Sequence, residues 1–188
     1  MSSDSRTSKR LQSRMERVFV GLGSNLGDGT AILAAAWRRI GEEADIVTVA
    51  LSHPYSTAPV GMDSPHRFTN AVGELRTSLT PRQLLDVLMK IETLFGRTRR
   101  EGAQGYEDRT LDLDMLYYGE RTMDDPDFVL PHPRIAERLF VLRPLAEICP
   151  EMWSSTHLRT VRELEESLVE QMVQGGIPLQ DVVRRSWT

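Results

Sequence analysis

Arg109-Thr110-Leu111-Asp112-Leu113-Asp114-Met115-Leu116 constrains this chain more than any other stretch. Apolar and acidic residues alternate along it with period two, the pattern of a half-buried strand rather than a helix. On a regular strand Leu111, Leu113, Met115 and Tyr117 share one face, while Asp112 and Asp114 share the other. At a rise of ~3.3 Å per residue the two aspartate Cα atoms lie about 6.6 Å apart. Paired carboxylates of this kind suit a hard cation such as Mg²⁺, which takes oxygen ligands and often completes its shell with phosphate oxygens. Arg97, Arg99, Arg100 and Arg109 sit just upstream and offer positive charge to an anionic ligand. Carboxylates, a metal and arginines together point to phosphoryl-type transfer from a nucleotide. For an Asp-x-Asp pair alone the plain alternative is a solvated acidic strand face, and the neighbouring arginines weigh against it.

The rest of the composition narrows the class. A chain of 188 residues fits one domain with a sizeable core. A net charge of −4 argues against broad nucleic-acid binding, which demands a basic face. A local basic site for one small polyphosphate remains open. The single cysteine, Cys149, lies near Leu145 and Ile148 and reads as a buried thiol. It cannot form an intrachain disulfide, so nothing here marks an oxidising compartment. No run approaches the ~18 apolar residues of a membrane span. The first 16 residues hold five serines and four Arg or Lys, with no apolar core of a secretory signal. They are expected to be a disordered tail.

The elements read in order as follows. Val18–Gly23 is a strand, followed by the turn cluster Ser24 to Gly29 and a helix capped by Asp28 or Thr30. Ile46–Leu51 and Phe68–Leu75 are strands, separated by a loop from Thr57 to Pro65. Thr80-Pro81-Arg82-Gln83 opens a second helix with a capping box, and Leu84, Leu88, Ile91 and Phe95 form its apolar stripe. Residues 97–110 form a charged loop, expected to be mobile and to close when nucleotide arrives. The Asp-x-Asp strand follows. Ile135–Ile148 is helical in parts, interrupted at Pro144, and Val161, Leu164, Leu168 and Met172 mark a last amphipathic helix. The order β-α-β-β-α-β predicts an α+β, ferredoxin-like split βαβ sandwich. Its sheet should be four-stranded and mostly antiparallel, with helices on one face. A core over residues 17–152 and a C-terminal helical extension over 153–188 complete the expected organisation.

Seven motifs, taken together, resemble one known family. They are Gly21-Leu22-Gly23-Ser24-Asn25-Leu26-Gly27, Tyr55-Ser56-Thr57-Ala58-Pro59-Val60-Gly61 and Phe68-Thr69-Asn70-Ala71, then Ile91-Glu92 with Gly96-Arg97 and Arg109-Thr110-Leu111-Asp112-Leu113-Asp114, and finally Leu130-Pro131-His132-Pro133-Arg134 and Arg138-Leu139-Phe140-Val141-Leu142. In this order and spacing the chain resembles the 6-hydroxymethyl-7,8-dihydropterin pyrophosphokinases over residues 17–152. The resemblance implies transfer of pyrophosphate from ATP to the dihydropterin's hydroxymethyl group, with release of AMP, in folate biosynthesis. It implies a ferredoxin-like fold, two Mg²⁺ ions with ATP as co-substrate, a cytoplasmic location, and no nucleic-acid, membrane or obligate protein partner. The length leaves no room for a fused folate-pathway domain, so a monofunctional enzyme is expected.

Residue roles follow from the same resemblance. Asp112 and Asp114 match the metal ligands, and Arg97, Arg99 and Arg109 match the catalytic-loop and phosphate-contacting arginines. Guanidinium forks suit phosphate oxygens and stay charged. Glu92, Met115, His132 and Arg138 match ATP contacts, with Glu92 expected on the polar side of its helix. Phe68 and Phe140 match two rings that sandwich the pterin, although core packing is the commoner fate of any Phe. Thr57, Ala58, Val60, Asn70 and Tyr106 complete the expected pterin pocket. Gly23, Ser24 and Asn25 resemble a Gly-rich phosphate loop, for which shaping the turn after the first strand is the plainer reading.

The chain departs from the family at Tyr106-Glu107-Asp108, where a tryptophan and Gly-Pro are frequent. Two added acids beside a polyphosphate are expected to oppose loop closure, so a catalytically dead relative stays in view. Two rivals from other classes are a palm-type nucleotidyl transferase and a ferredoxin-like RNA-binding module. The first needs a basic template channel and the second an aromatic K/R-G-F-like strand, and the sequence has neither.

Overall fold

The computed structural model describes residues 15–61, 64–97 and 108–188. Its strands are β1 (Glu16–Ser24), β2 (Ile46–Leu51), β3 (Tyr55–Thr57), β4 (Phe68–Thr77), β5 (Asp112–Tyr118), β6 (Met123–Asp125), β7 (Phe128–Leu130), β8 (Trp153–Ser154), β9 (Arg159–Thr160) and β10 (Val182–Arg184). Its helices are α1 (Gly29–Gly41), α2 (Pro81–Leu94), α3 (Leu139–Ile148) and α4 (Val161–Val173). The expected N-terminal tail, Arg99, Tyr106 and most of the expected mobile loop lie outside the described residues.

Local chemistry sets the helix starts. The Asp28 carboxylate accepts the Ala31 N–H at 3.1 Å, so Asp28 rather than Thr30 caps α1. Thr80 and Gln83 form the expected reciprocal capping box on α2, with Pro81 in the first turn. α3 runs through Pro144 without a break, which corrects the expected interruption. Pro144 removes one helical hydrogen bond, but burial of Leu139, Leu142 and Leu145 holds the helix against the sheet.

The main sheet is antiparallel throughout and runs β10-β3-β4-β1-β5, with β2 also pairing to β4. β2 and β3 share one edge of the ten-residue β4. β4 therefore lies between β1 and β2, and β1 lies between β4 and β5, as the split βαβ plan requires. The sheet has six strands rather than the expected four, because β3 and β10 add to it. The segment after residue 153 is thus not only helical: a short β8–β9 hairpin precedes α4, and β10 joins the sheet edge.

Helices cover both faces, which corrects the one-face expectation. On the first face Val18, Val20 and Leu22 pack with Leu33, Ala36 and Ile40 of α1 and Leu84, Leu88 and Ile91 of α2. On the second, Phe19 and Val72 pack with Leu142 and Leu145 of α3 and Leu164, Leu168 and Met172 of α4. The alternation of β5 also breaks once. Phe19 pairs with Tyr117 and Val20 with Met115, which leaves Leu116 as an extra residue in a bulge. Leu116 and Tyr117 then both face the second core, so Tyr117 does not share a face with Leu113 and Met115 as expected. Cys149 is half-buried rather than buried, and its Sγ accepts from the Arg17 guanidinium at 3.0 Å. Among the described residues no helix is long and apolar enough to cross a membrane.

Candidate active site

The site grows out of strand register. Across β4, β1 and β5 the second face carries the rows Asn70–Gly23–Asp112 and Val72–Gly21–Asp114. Gly21 and Gly23 give the central strand no side chain there, and a cavity of about 210 Å³ opens above them. A Cβ added to Gly23 would come within 3.2 Å of the Asn70 Oδ1, so a larger residue would fill this floor. Gly23 is in the strand as expected, but its role is this floor rather than the shaping of the turn that follows. The available signal was glycine spaced by two within a strand, a mark of close approach by a ligand or another backbone.

One end of the cavity is charged. Asp112 receives Arg109 Nη1 at 3.0 Å and is also bonded by Arg97, which bridges to Glu92. Glu92 is only 3% exposed, and its Oε1 accepts the Leu113 N–H at 2.8 Å. This corrects the placement of Glu92 on the polar side of α2: the helix turns it inward beside Ile91, against the start of β5. From there it orients Arg97 rather than lining the cavity. Asp114 has its carboxyl pushed up to about 6 by burial and by the neighbouring Asp112 charge, against the pull of Arg138 and Arg109. Burial and the Arg138 charge likewise hold the His132 ring down to about 4. His132 is pinned by its own N–H to the Leu116 carbonyl at 2.9 Å. The Arg134 N–H donates to its Nδ1 at 3.1 Å, and Arg138 Nη1 lies 3.5 Å from its Nε2.

The other end is flat and less charged. Asn70 Nδ2 donates to Thr57 Oγ1 at 2.9 Å, and both residues are buried. Ala58, Val60, Phe68 and Phe140 line the same cavity. The Arg109 guanidinium lies 6.0 Å from the Phe68 ring centre and that of Arg138 lies 5.6 Å from the Phe140 ring centre. The structure thus brings Arg97, Arg109, Asp112, Asp114, His132, Arg138, Thr57, Ala58, Val60, Phe68, Asn70 and Phe140 to one cavity. Met115 is not among them: its side chain is 4% exposed and packs in the first core. At the odd acid Asp108, the carboxylate accepts from Asn25 Nδ2 at 2.5 Å and from Ser64 Oγ at 2.7 Å. Asn25 in turn accepts the Arg109 N–H at 2.7 Å.

Fold and site together define an α+β protein in which a cleft joins a carboxylate–arginine end to an aromatic–amide end, the form of a nucleotide-dependent transferase acting on a flat heterocycle. Residues 19–150 match the family model of 7,8-dihydro-6-hydroxymethylpterin-pyrophosphokinase, and the chain belongs to this family. It is 39% identical over 134 residues to a 2-amino-4-hydroxy-6-hydroxymethyldihydropteridine pyrophosphokinase of Bacillus subtilis, covering 71% of this chain and 78% of that one. It is 41% identical over 138 residues to the enzyme of the same name from Methylorubrum extorquens, covering 73% and 85%. A solved Plasmodium falciparum HPPK-DHPS shares its fold with a TM-score of 0.68 at 14% identity, over 87% of this chain and 43% of that one.

Proposed function

We infer that this chain transfers the pyrophosphoryl group of ATP to 6-hydroxymethyl-7,8-dihydropterin, a step of folate biosynthesis. The hydroxymethyl oxygen attacks the β-phosphorus and the bond from that phosphorus to the α–β bridging oxygen breaks. AMP departs with the electron pair, the hydroxymethyl proton is released, and the diphosphate ester forms. The observation that carries this reading is the single floor Asn70–Gly23–Asp112, in which the amide assigned to the heterocycle edge on β4 and the carboxylate assigned to the phosphate side on β5 are separated only by a glycine of β1.

The charged end fits the metal the family implies. Asp112 and Asp114 would hold Mg²⁺, and we take two ions with ATP as the stoichiometry. Among the described residues no third His, Cys, Asp or Glu joins them, which suits an ion that fills its shell from phosphate oxygens and water. When bound there, Mg²⁺ supplies positive charge to the polyphosphate. The chain's own groups do the rest. Arg97, Arg109 and Arg138 offer guanidinium donors to phosphate oxygens, with Glu92 holding Arg97 in place. His132 offers a neutral imidazole beside Arg138, without adding a charge that would vary near neutral pH. Phe68 and Phe140 are assigned to the faces of the pterin, and Asn70 with Thr57 to its hydrogen-bonding edge. Arg99 and Tyr106 keep the roles the family gives them as proposals. Catalysis is then positioning plus charge stabilisation. A cytosolic location goes with this reading, since ATP is a reactant.

The test is product analysis. With Mg²⁺, ATP and the dihydropterin, AMP is expected as the nucleotide product, and none without the dihydropterin. ADP as the main product would overturn the assignment, because it reports transfer of the γ-phosphoryl alone.

A further inference from the structure

The chain after α4 does not trail away. Ile177 and Val182 pack on the second core, and Trp187 reaches the edge of the first. Trp187 Nε1 donates to the Ser52 carbonyl at 3.2 Å, and the Arg185 N–H donates to the Pro54 carbonyl at 2.8 Å. Between these anchors, three consecutive residues reach both walls of the cavity. Gln180 Oε1 accepts the Leu139 N–H at 2.9 Å, and Gln180 Nε2 donates to the Glu137 carbonyl at 2.8 Å. Asp181 accepts from Arg67 at 2.7 Å, and Arg67 Nε donates to Ser56 Oγ at 2.9 Å. Val182 pairs with Thr57 at the start of β10.

The wall carrying Arg138 and Phe140 is the first turn of α3. A helix start needs an acceptor for its free N–H groups, and the N-cap residue Arg138 makes no side-chain cap bond. Gln180 supplies that acceptor from 41 residues away, and its amide N–H₂ holds the carbonyl on the other side of Arg138. The wall carrying Thr57 and Phe68 is the end of the β3–β4 pair, and Asp181 and Val182 hold it through Arg67 and Thr57. Residues 180–182 lie beyond the family-matched stretch, which ends at residue 150.

We propose that Gln180, Asp181 and Val182 form a strap that sets the spacing of the two walls of the dihydropterin cleft, with Gln180 as the positioning residue for Arg138 and Phe140. This rests on the reading of the cleft given above. A strap of this kind stiffens the pocket before the substrate arrives, so less ordering is left to be done on binding. Because Gln180 touches neither reacting group, its loss acts on substrate affinity more than on the chemical step.

Three variants test it: Gln180→Ala, the isosteric Gln180→Met, and Gln180→Glu, which keeps the acceptor for Leu139 but not the donor to Glu137. The protein is titrated with the dihydropterin at a temperature where each variant is fully folded by circular dichroism. The Ala and Met variants should bind about threefold to tenfold more weakly, with kcat changed less than KM, and Glu should recover part of the loss. Hydrogen exchange is measured in parallel without substrate. The strap predicts that residues 134–142 and 54–60 lose protection together in the Ala and Met variants. Wild-type affinity in both variants, or loss of protection confined to 134–142, would overturn the strap and leave Gln180 as a local cap. Failure of the unmodified protein to bind the dihydropterin would instead overturn the reading of the cleft, with the strap then decided by exchange alone.

Discussion

Across β4, β1 and β5 the same three strands present two faces of the sheet, yet one is a closed core and the other a site. On the first face β1 presents Val18, Val20 and Leu22, all at most 2% exposed, beneath α1 and α2. On the second the same strand presents Phe19, then Gly21 and Gly23. The covering helices α3 and α4 meet the sheet at the Phe19 end, where Leu116 and Tyr117 of the bulge add apolar surface. Toward Gly23 the partner positions turn polar, to Asn70 and Asp112, and the apolar cover stops. Alternation along a strand delivers two sets of residues at once. One set is used up in burial, and the other is released for chemistry where glycine removes the bulk.

The largest effect should come from exchanging what each face contributes. Asp112→Ala and Asp114→Ala should each abolish measurable turnover, since they remove the proposed metal ligands. Leu88→Ala on the first face should instead cost about 2–5 kcal/mol in unfolding free energy and spare the chemistry of the folded fraction. Asp114→Asn sharpens the contrast through pH. Its folded carboxyl is pushed up to about 6, above the ordinary carboxylate value, so the folded state holds the proton more tightly than the unfolded chain does. The native protein therefore loses stability as pH rises from about 4 through 6. Asn carries no such charge, so the inactive variant should be more stable than wild type by about 1–3 kcal/mol at pH 8, with the gain vanishing near pH 4. Urea unfolding at both pH values, without metal, measures this. An active Asp114→Asn protein, or one no more stable at pH 8, would break the division of labour between the faces.

A smaller effect separates floor from core on β1 itself. Gly23→Val should lower kcat/KM by about a hundredfold, because the added carbons enter the floor beside Asn70 and misplace the substrate. It should leave the protein folded, since the added carbons point into the cavity and displace Asn70 rather than enter either core. Val20→Gly, on the opposite face of the same strand, should show the reverse, losing stability through a cavity while the folded protein keeps its affinity. Thermal melts beside dihydropterin titrations decide it. A Gly23→Val protein with native affinity would mean that the cleft floor does not bound the substrate.

Much of this architecture is legible in the sequence where local rules act alone. The Asp-x-Asp alternation, the Thr80–Gln83 box and the stripe of Val161, Leu164, Leu168 and Met172 each depend on neighbours within a few residues, and each appears in the structure as read. The misreadings share a different cause. The Leu116 bulge turns Tyr117 over because β5 must match the register of β1, which no local pattern states. Glu92 sits in the interior because a backbone N–H of β5 and Arg97 await it there, and a helical stripe cannot announce a distant partner. β10 pairs with a strand more than a hundred residues earlier in the chain. The motif residues were readable as a set, and their sharing of one cavity was supplied by strand order.

The smallest effect concerns Asp108, where charge and geometry pull in opposite directions. The sequence alone suggests repulsion, since an extra carboxylate stands near a polyphosphate. In the structure this carboxylate is engaged: Ser64 and Asn25 donate to it and hold its pKa below the usual carboxylate range. Asn25 also takes the Arg109 N–H, so Asp108 clasps the turn after β1, the segment before β4 and the approach to β5. If the clasp dominates, Asp108→Asn keeps an acceptor and should turn over within about twofold of wild type. Asp108→Ala loses the acceptor and should raise KM about threefold, with kcat nearly unchanged because Asp108 touches no reacting group. Both variants should melt close to wild type, since the side chain is exposed. Salt separates the two causes, because repulsion between exposed charges is screened over about 8 Å at physiological ionic strength, whereas a lost hydrogen bond is not restored by salt. Variants that run faster than wild type at low salt and converge with it at high salt would put repulsion back in first place. A slower Ala variant, indifferent to salt and matched by a near-native Asn variant, would fix Asp108 as the clasp that holds the charged end of the cleft to the open face.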